Sequence, residues 1–270
     1  YINKNHYKMR VYNKWMVAFL FLCINSLNAK NLQASFQYFN FQNANGISYI
    51  ETYLSFLSTE LNYKQINSEE FQGAVLINIA IKEGDTIYHI DKYLFNTPIL
   101  KDTLTRQYFI DKQIIALNNG SYELTLDLKD TNSNKNSISA STSLKVDFPE
   151  DEICFSDIMI LNEYQASHNK GPLYKSGYDI IPKQKQGDYF IDESESNLNF
   201  YVEWYQADTD TLLNSGYLFN YFIENEQTHI PITGYNAVKR KTITHQKAHI
   251  SGFDISQLPS GNYNLVVQLL

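Results

Sequence analysis

Two histidines come closest to the spacing of a metal site. His245 and His249 are four residues apart, which on a helix would place both imidazoles on one face. The neighbouring segment Thr242-Ile243-Thr244 favours an extended strand instead, and no glutamate follows His245. We therefore expect a pair of solvated histidines here and no metal site.

Two acidic segments carry oxygen ligands that calcium could use. Asp130, Asn132 and Asn134 follow the spacing of the first half of a calcium loop. Lys135 stands where that loop needs glycine, and Ser141 where it needs a bidentate glutamate. The segment therefore indicates a polar hairpin tip. Asp208-Thr209-Asp210 is a second candidate, which could contribute oxygen ligands to a calcium site between loops.

The sequence contains no recognisable catalytic motif. A Gly-x-Ser-x-Gly elbow, a phosphate-binding glycine loop and His-Glu-x-x-His are all missing from it. Cys154 lies beside acidic residues, which disfavour a thiolate nucleophile. Carboxylates are plentiful, but the sequence does not fix two of them at the separation that glycoside hydrolysis needs. We predict a chain without catalytic residues, metal or cofactor.

A glycine–tyrosine pair occurs twice. Gly120-Ser121-Tyr122 recurs as Gly261-Asn262-Tyr263, 141 residues later, and each tyrosine follows a turn and opens a strand. In immunoglobulin-like sandwiches a tyrosine at the start of the penultimate strand bonds back to the backbone of the preceding corner. Gly120, Tyr122, Gly261 and Tyr263 are therefore predicted tyrosine-corner residues, with ordinary strand tyrosines as the alternative.

The elements around these tyrosines have the period of β-strands. Tyr122–Leu128 alternates strictly, and after a polar turn Ser137–Val146 alternates again, which predicts a hairpin. Ala74–Ile81 is a β-branched run that ends at a Glu-Gly-Asp turn. Tyr49–Phe56 carries apolar residues on both parities, which indicates a well-buried strand.

These patterns predict two tandem immunoglobulin/fibronectin-like β-sandwich domains. Three segments recur in the same order, so we place the first domain at 30–148, a linker at 149–155 and the second domain at 156–270. Within the second domain, the polar stretch from Ser167 to Ser196 is predicted to form a long loop with one short strand near Tyr178–Ile181. Its Gly-x-Tyr strand has no closing strand after it, so we expect this domain to be C-terminally incomplete and the chain to continue past Leu270.

The N-terminal segment has the features of a secretory signal. Arg10 and Lys14 precede the apolar run Trp15–Ile24, and Ala29 is a small residue at its exit. Residues 1–29 are therefore predicted to be upstream residues plus a signal peptide that begins at Met9, and we expect no transmembrane segment in the mature chain. A buried core helix, or a lipid-modified Cys23, are the alternatives.

The charge balance restricts the partners. The chain has 22 basic and 29 acidic residues, a net charge of −7. Without residues 1–29 the basic count falls to 18 and the balance to −11. An acidic chain repels nucleic acid and anionic lipid headgroups, so neither is an expected partner. Cys154 would then be the sole cysteine, so we expect core burial rather than a disulfide to stabilise the fold.

The first domain prompts a comparison with a known family. Tyr49–Phe56, the strand after Gly73, Asn118–Leu124, Asp130–Ser133 and Phe155–Ile160 follow one another in an order that resembles the N-terminal region of the GWxTD-domain proteins of Bacteroidota. These are exported proteins of poorly defined function. The resemblance spans about residues 36–270. The Gly-Trp-x-Thr-Asp motif itself is absent, since Trp15 and Trp204 are the only tryptophans and neither lies in it.

These observations predict a non-catalytic, exported cell-envelope protein, located in the periplasm or at the outer membrane. Its β-sandwich region would bind or scaffold an envelope protein partner, ahead of a missing C-terminal domain. One alternative is a carbohydrate-binding module for a polysaccharide, because aromatic rings stack on sugars. The tyrosines that motivate it are Tyr164, Tyr174, Tyr178, Tyr189, Tyr201 and Tyr205. A second alternative is the accessory region of an envelope enzyme.

Overall fold

The fold is all-β. The computed structural model describes residues 8–9, 32–134, 137–149, 153–184, 188–192, 194–205, 216–242 and 246–270. Within these ranges the chain forms β-strands and one short 3₁₀ turn, Ser58–Glu60, with no α-helix. The prediction of an all-β sandwich fold is therefore confirmed. Apart from Met9, the predicted leader lies outside the described residues.

The strands vary in length from two to thirteen residues. In chain order they are β1 (Lys8–Met9), β2 (Ala34–Gln42), β3 (Ser48–Leu57), β4 (Tyr63–Gln65), β5 (Phe71–Glu83), β6 (Thr86–Asn96), β7 (Tyr108–Ala116), β8 (Gly120–Asp130), β9 (Ile138–Val146), β10 (Cys154–Phe155), β11 (Met159–Ala166), β12 (Tyr174–Lys175), β13 (Tyr178–Pro182), β14 (Asn197–Tyr205), β15 (Gly216–Asn225), β16 (Pro231–Thr242), β17 (Gln246–Asp254) and β18 (Tyr263–Leu269).

The first unit is a sandwich of two antiparallel sheets. One sheet has the order β2-β3-β7, and the other has the order β6-β5-β8-β9, with the short β4 beside the start of β5. The β-branched run on β5 alternates between buried and half-buried residues, so Val75, Ile77, Ile79 and Ile81 all face the core. The predicted hairpin is formed by β8 and β9, which pair antiparallel along their whole length.

The second unit repeats this strand order. Its inner sheet contains β11, β14 and β17, with β14 in the centre, and its outer sheet has the order β16-β15-β18. The other edge of β18 pairs with Lys8–Met9, in the position that β9 takes beside β8. Phe200, Val202 and Trp204 of β14 pack on Phe219 and Ile223 of β15 to form a second core.

The predicted linker partly overlaps a strand. Cys154 and Phe155 form β10, which pairs with Tyr205 and Trp204 of β14, so the last two residues of the 149–155 segment belong to the inner sheet of the second unit. The short strand predicted near Tyr178–Ile181 is β13. The part of the chain that the structure describes includes no helix that is long and apolar enough to cross a membrane.

The two sandwiches pack on each other through their inner sheets. A third apolar cluster joins Phe39, Phe41 and Tyr53 of the first unit to Met159, Leu161, Ile180 and Tyr201 of the second. Both central strands are therefore covered on both faces. This explains why β3 is apolar on both parities: Ile50, Leu54 and Phe56 face its own core, while Tyr53 faces the other unit.

Candidate functional site

The glycine–tyrosine pairs form the same hydrogen bond in both units. The Tyr122 hydroxyl donates to the backbone oxygen of Asn118 at 2.9 Å, and the Tyr263 hydroxyl donates to that of Pro259 at 2.7 Å. In each case the acceptor lies four residues earlier, in the corner before β8 or β18. This is the bond of a tyrosine corner, and it anchors the corner to the strand that follows it.

Glycine is required at these corners because the tyrosine ring folds back over the backbone. A Cβ added to Gly120 would lie 2.9 Å from the Tyr122 hydroxyl, and one added to Gly261 would lie 3.1 Å from the Tyr263 hydroxyl. Real Cβ atoms are rarely this close to another heavy atom. The glycine and the tyrosine therefore work as a pair, and their role is structural.

The prediction of solvated histidines is wrong for His249. Its ring is buried, with its centroid 4.4 Å from that of Phe219 and 6.0 Å from that of Tyr221. His245 lies outside the described residues, as does the acidic segment 208–210. Among the residues that the structure describes, no group of three or more His, Cys, Asp or Glu side chains could hold a metal ion.

Asp130 shows why the calcium-like spacing occurs. The carboxylate is buried and accepts two hydrogen bonds from Asn62, one from the backbone nitrogen at 2.8 Å and one from the side-chain nitrogen at 2.9 Å. It accepts a third from the backbone nitrogen of Asn132 at 2.9 Å. Its oxygens thus bind backbone and amide donors in two loops. Asp130 holds the start of the β8–β9 turn against the segment before β4.

The charged residues that the fold does bring together lie between the two units. Glu51 on β3 and Lys112 on β7 project from the inner sheet of the first unit, and Lys175 on β12 and Glu203 on β14 project from the second. Each of these side chains is at least 94% buried. We call these four residues the charge network.

Lys175 is the central member of the charge network. Its Nζ lies 3.0 Å from Oε1 of Glu51 and 3.2 Å from Oε1 of Glu203, so it bridges one carboxylate from each unit. Lys112 contacts the same Glu51 oxygen at 3.3 Å. Two acids and two bases therefore balance, as burial of charge requires.

Tyrosine hydroxyls satisfy the remaining carboxylate oxygens. Tyr53 donates to Oε2 of Glu51 at 2.8 Å, and Tyr205 donates to Oε2 of Glu203 at 2.8 Å. Tyr201 also donates to Glu203. Each tyrosine is two residues from its glutamate on the same strand, because residues i and i+2 share one face of a sheet.

Aromatic and polar contacts complete the interface. The Lys175 ammonium lies 3.5 Å from the centroid of the Phe41 ring and donates to the Tyr49 hydroxyl at 3.2 Å. At the border, the Asp157 carboxylate accepts from the backbone and side-chain nitrogens of Asn40, both at 2.8 Å. A cation that is both paired and placed over a ring is stabilised despite its loss of water.

The two lysines respond differently to this environment. Burial lowers the pKa of Lys112, and the positive charge of the nearby Lys175 lowers it further. The carboxylate of Glu51 raises this pKa but compensates only in part. For Lys175 burial acts in the same direction, but Glu51 and Glu203 together outweigh it and hold its pKa above the usual value. The difference follows from the contacts, since Lys175 bridges both carboxylates, whereas Lys112 contacts only that of Glu51 and its pKa is also lowered by the charge of Lys175.

The tyrosines stay protonated far into the alkaline range. Burial raises the pKa of Tyr53, Tyr201 and Tyr205, and the adjacent glutamate carboxylates raise it further because a phenolate beside a carboxylate is repelled. Burial also raises the pKa of Tyr49 to about 12. Near neutral pH these hydroxyls are therefore neutral and do not act as acid–base catalysts: Tyr53, Tyr201 and Tyr205 donate to the glutamates, and Tyr49 accepts from Lys175.

The charge network is enclosed, and none of its four residues lines the open depression at the start of β7. This depression of about 460 Å³ lies where β6 ends and β7 begins, and Phe95, Thr97, Pro98, Tyr108 and Ile110 are among its lining residues. Its lining contains neither a carboxylate nor a histidine. What the buried arrangement can do is hold two sandwiches in one fixed orientation.

Sequence reasoning missed the charge network. The available signal was Glu51, an acidic residue within a strand that carries apolar residues on both faces. Such a residue predicts a buried partner of opposite charge. The partner Lys175 was hidden because it lies in the polar stretch that we had expected to be mostly loop.

The comparisons with known proteins leave the family open. No family model matches the chain, and no curated protein matches it. The resemblance to the GWxTD-domain proteins therefore stays a prediction, carried by the residues given above.

We expect Tyr122→Phe to lower the free energy of unfolding by about 1 kcal/mol, because it removes a partly buried hydrogen bond, and Tyr263→Phe to lower it by less, because its hydrogen bond is exposed. Urea denaturation measures the loss. Tyr108→Phe is the matched control, since that ring is 52% exposed on β7. Equal stability of all three variants and the unmodified chain would show that the corner bonds contribute nothing.

We expect Lys175→Met to lower the free energy of unfolding by about 3–5 kcal/mol, because it leaves Glu51 and Glu203 buried without their shared cation. Lys145→Met is the control: its ion pair with Asp147 is exposed, so the loss there is below about 1 kcal/mol. Both are measured by urea denaturation. A Lys175 variant that is no less stable than the control contradicts a structural role for the network.

We expect stability to fall as the pH rises above about 10, where tyrosines of the unfolded chain ionise. Tyr53, Tyr201 and Tyr205 have raised pKa values when folded, so their contribution is present below that pH and is lost above it. The raised pKa of Lys175 acts in the same direction, and the lowered pKa of Lys112 opposes it.

The measurement is the urea midpoint at about pH 8 and about pH 11. Tyr53→Phe should reduce the difference between the two midpoints, whereas Tyr108→Phe should leave it unchanged. Tyrosinate absorbance that grows fully near pH 10 in the folded chain would contradict the assignment.

Proposed function

We propose that this chain is the interaction and scaffold region of an exported cell-envelope protein and has no catalytic activity of its own. The observation that carries the proposal is the charge network. Its four side chains pair with one another between the two sandwiches, and they are too deeply buried to contact a substrate. They are Glu51, Lys112, Lys175 and Glu203. The result is a rigid pair of β-sandwiches that can present loops and sheet edges at fixed distances.

The remaining features support this proposal from the sequence side. A secretory signal at Met9–Ala29 would direct the chain to the periplasm or the outer membrane. The net charge of −7 disfavours nucleic acid and anionic lipid as partners. The expected partner is an envelope protein, in keeping with the resemblance to exported GWxTD-domain proteins.

Polysaccharide binding is the less well-supported alternative. Of the tyrosines that suggested it, Tyr201 and Tyr205 are buried at the interface and serve Glu203. Tyr164 is 42% exposed and meets Tyr178 edge-on, so the two rings do not form a flat platform. Trp204 is also buried, which removes it as a stacking surface for a sugar.

The proposal is tested by expressing the tagged chain in a Bacteroidota host, with and without residues 1–29. We expect the chain with residues 1–29 in the envelope fraction, chemically cross-linked to one envelope protein in a constant ratio, and the chain without them in the cytoplasm. The Lys145→Met chain, altered at an exposed ion pair, should keep the same cross-link as the unmodified protein.

Two results would contradict the proposal. One is a chain that stays in the cytoplasm or that cross-links to no envelope protein. The other is turnover by the purified chain of ester, glycoside or phosphate test substrates above that of a heat-denatured sample. Binding on a glycan array would instead favour the polysaccharide alternative.

A further inference from the structure

Exposed apolar side chains are concentrated in one region of the first unit. Among the described residues, 17 large apolar side chains are exposed, and eight of them lie between Ile87 and Ile114. This region comprises β6, the following loop and β7. The eight residues are Ile87, Tyr88, Ile90, Leu94, Ile99, Leu104, Tyr108 and Ile114.

Strand β6 lies at the edge of its sheet. It pairs with β5 on one side, and in the part of the chain that the structure describes no strand pairs with its other side. Eleven residues long, it presents an edge with backbone donors and acceptors available for another strand. Natural proteins usually cover or charge such an edge.

The opposite edge of the same sheet is more polar. There β9 turns exposed serines outward, at positions 139, 141 and 143. A single row crosses the sheet from Ile90 on β6 through Ala80 and Thr125 to Ser141 on β9. Ile90 at one end of this row is 70% exposed, whereas the residue at the other end is a serine.

We propose that β6 pairs antiparallel with β6 of a second copy of this chain, about a twofold axis at Ile90. The proposal concerns self-association, so it does not depend on the proposed function. Ile90 would then lie against Ile90 of the second copy, and the exposed Leu94 would lie near the joined edge. Pairing through a strand edge is an established mode of β-sheet recognition, and twofold dimers are the commonest assemblies.

Charge disfavours two registers close to the one proposed. A twofold axis preserves the two faces of the sheet, so one residue must lie opposite itself. An axis at Asp91 would oppose two carboxylates, and an axis at Lys92 would oppose two ammonium groups, both of which are destabilising. With the axis at Ile90, His89 of each copy lies opposite Asp91 of the other, so that each imidazole N–H can donate a hydrogen bond to a carboxylate.

The charge of the strand supports the same occupant. The chain as a whole is acidic, with a net charge of −7, so two copies repel each other over most of their surfaces. Strand β6 contains one acidic residue, Asp91, and one basic residue, Lys92, and is therefore neutral. A second copy can approach this edge without a charge penalty.

Sedimentation of the purified chain tests the proposal. We expect a concentration-dependent dimer of the 31.3 kDa chain. Ile90→Lys should weaken it by about tenfold or more, because it places two ammonium groups at the axis. Ser141→Lys is the matched control on the same row, at the other edge, and should leave the dimer unchanged. Circular dichroism and the urea midpoint check that both variants are folded.

Cysteine cross-linking tests the register, in a chain whose native Cys23 and Cys154 are replaced by serine. Ile90→Cys should form a covalent dimer under mild oxidation, since the axis brings each cysteine opposite itself. Ser141→Cys should not. A chain that is monomeric at every concentration, a dimer that survives Ile90→Lys, or a cross-link through Ser141→Cys would each overturn the proposal.

Discussion

The contact between Lys175 and the two glutamates is the interaction on which the arrangement of this protein depends. Each glutamate belongs to the central strand of one inner sheet, and neither could be buried alone without a large desolvation cost. The lysine comes from a two-residue strand that has little structure of its own. The ion pairs therefore require both sandwiches and β12 to be in place at once.

The interface is formed by equivalent parts of two similar units. Strands β3 and β14 are the centres of their inner sheets, and each carries a glutamate with a tyrosine two residues away. Because both faces carry a buried glutamate, contact between these two strands alone would bring two carboxylates together. Lys112 on β7, which pairs with β3, and Lys175 on β12, at the edge of the other inner sheet, supply the balancing charge. Similar surfaces are in this way made complementary.

Much of the local structure could be predicted from the sequence, because it depends on neighbouring residues. Alternation over Tyr122–Leu128 predicted the β8–β9 hairpin, which is confirmed. The fold-level packing could not be predicted in the same way. His249 was expected in solvent, but Phe219 on another strand covers it. Lys175 was expected in a loop, and its partners lie 124 and 28 residues away along the chain.

The stacking of the two inner sheets also limits how this chain can be divided. In a protein built from tandem sandwich domains, each domain usually has two outer faces exposed to water, so a single domain can be excised or exchanged. Here one face of each half carries Tyr53 or Tyr201, both almost completely shielded. Neither half is an independent module, so recombination that respects the 149–155 boundary would still cut through shared interior. Separation of the halves at that boundary would expose both rings to water.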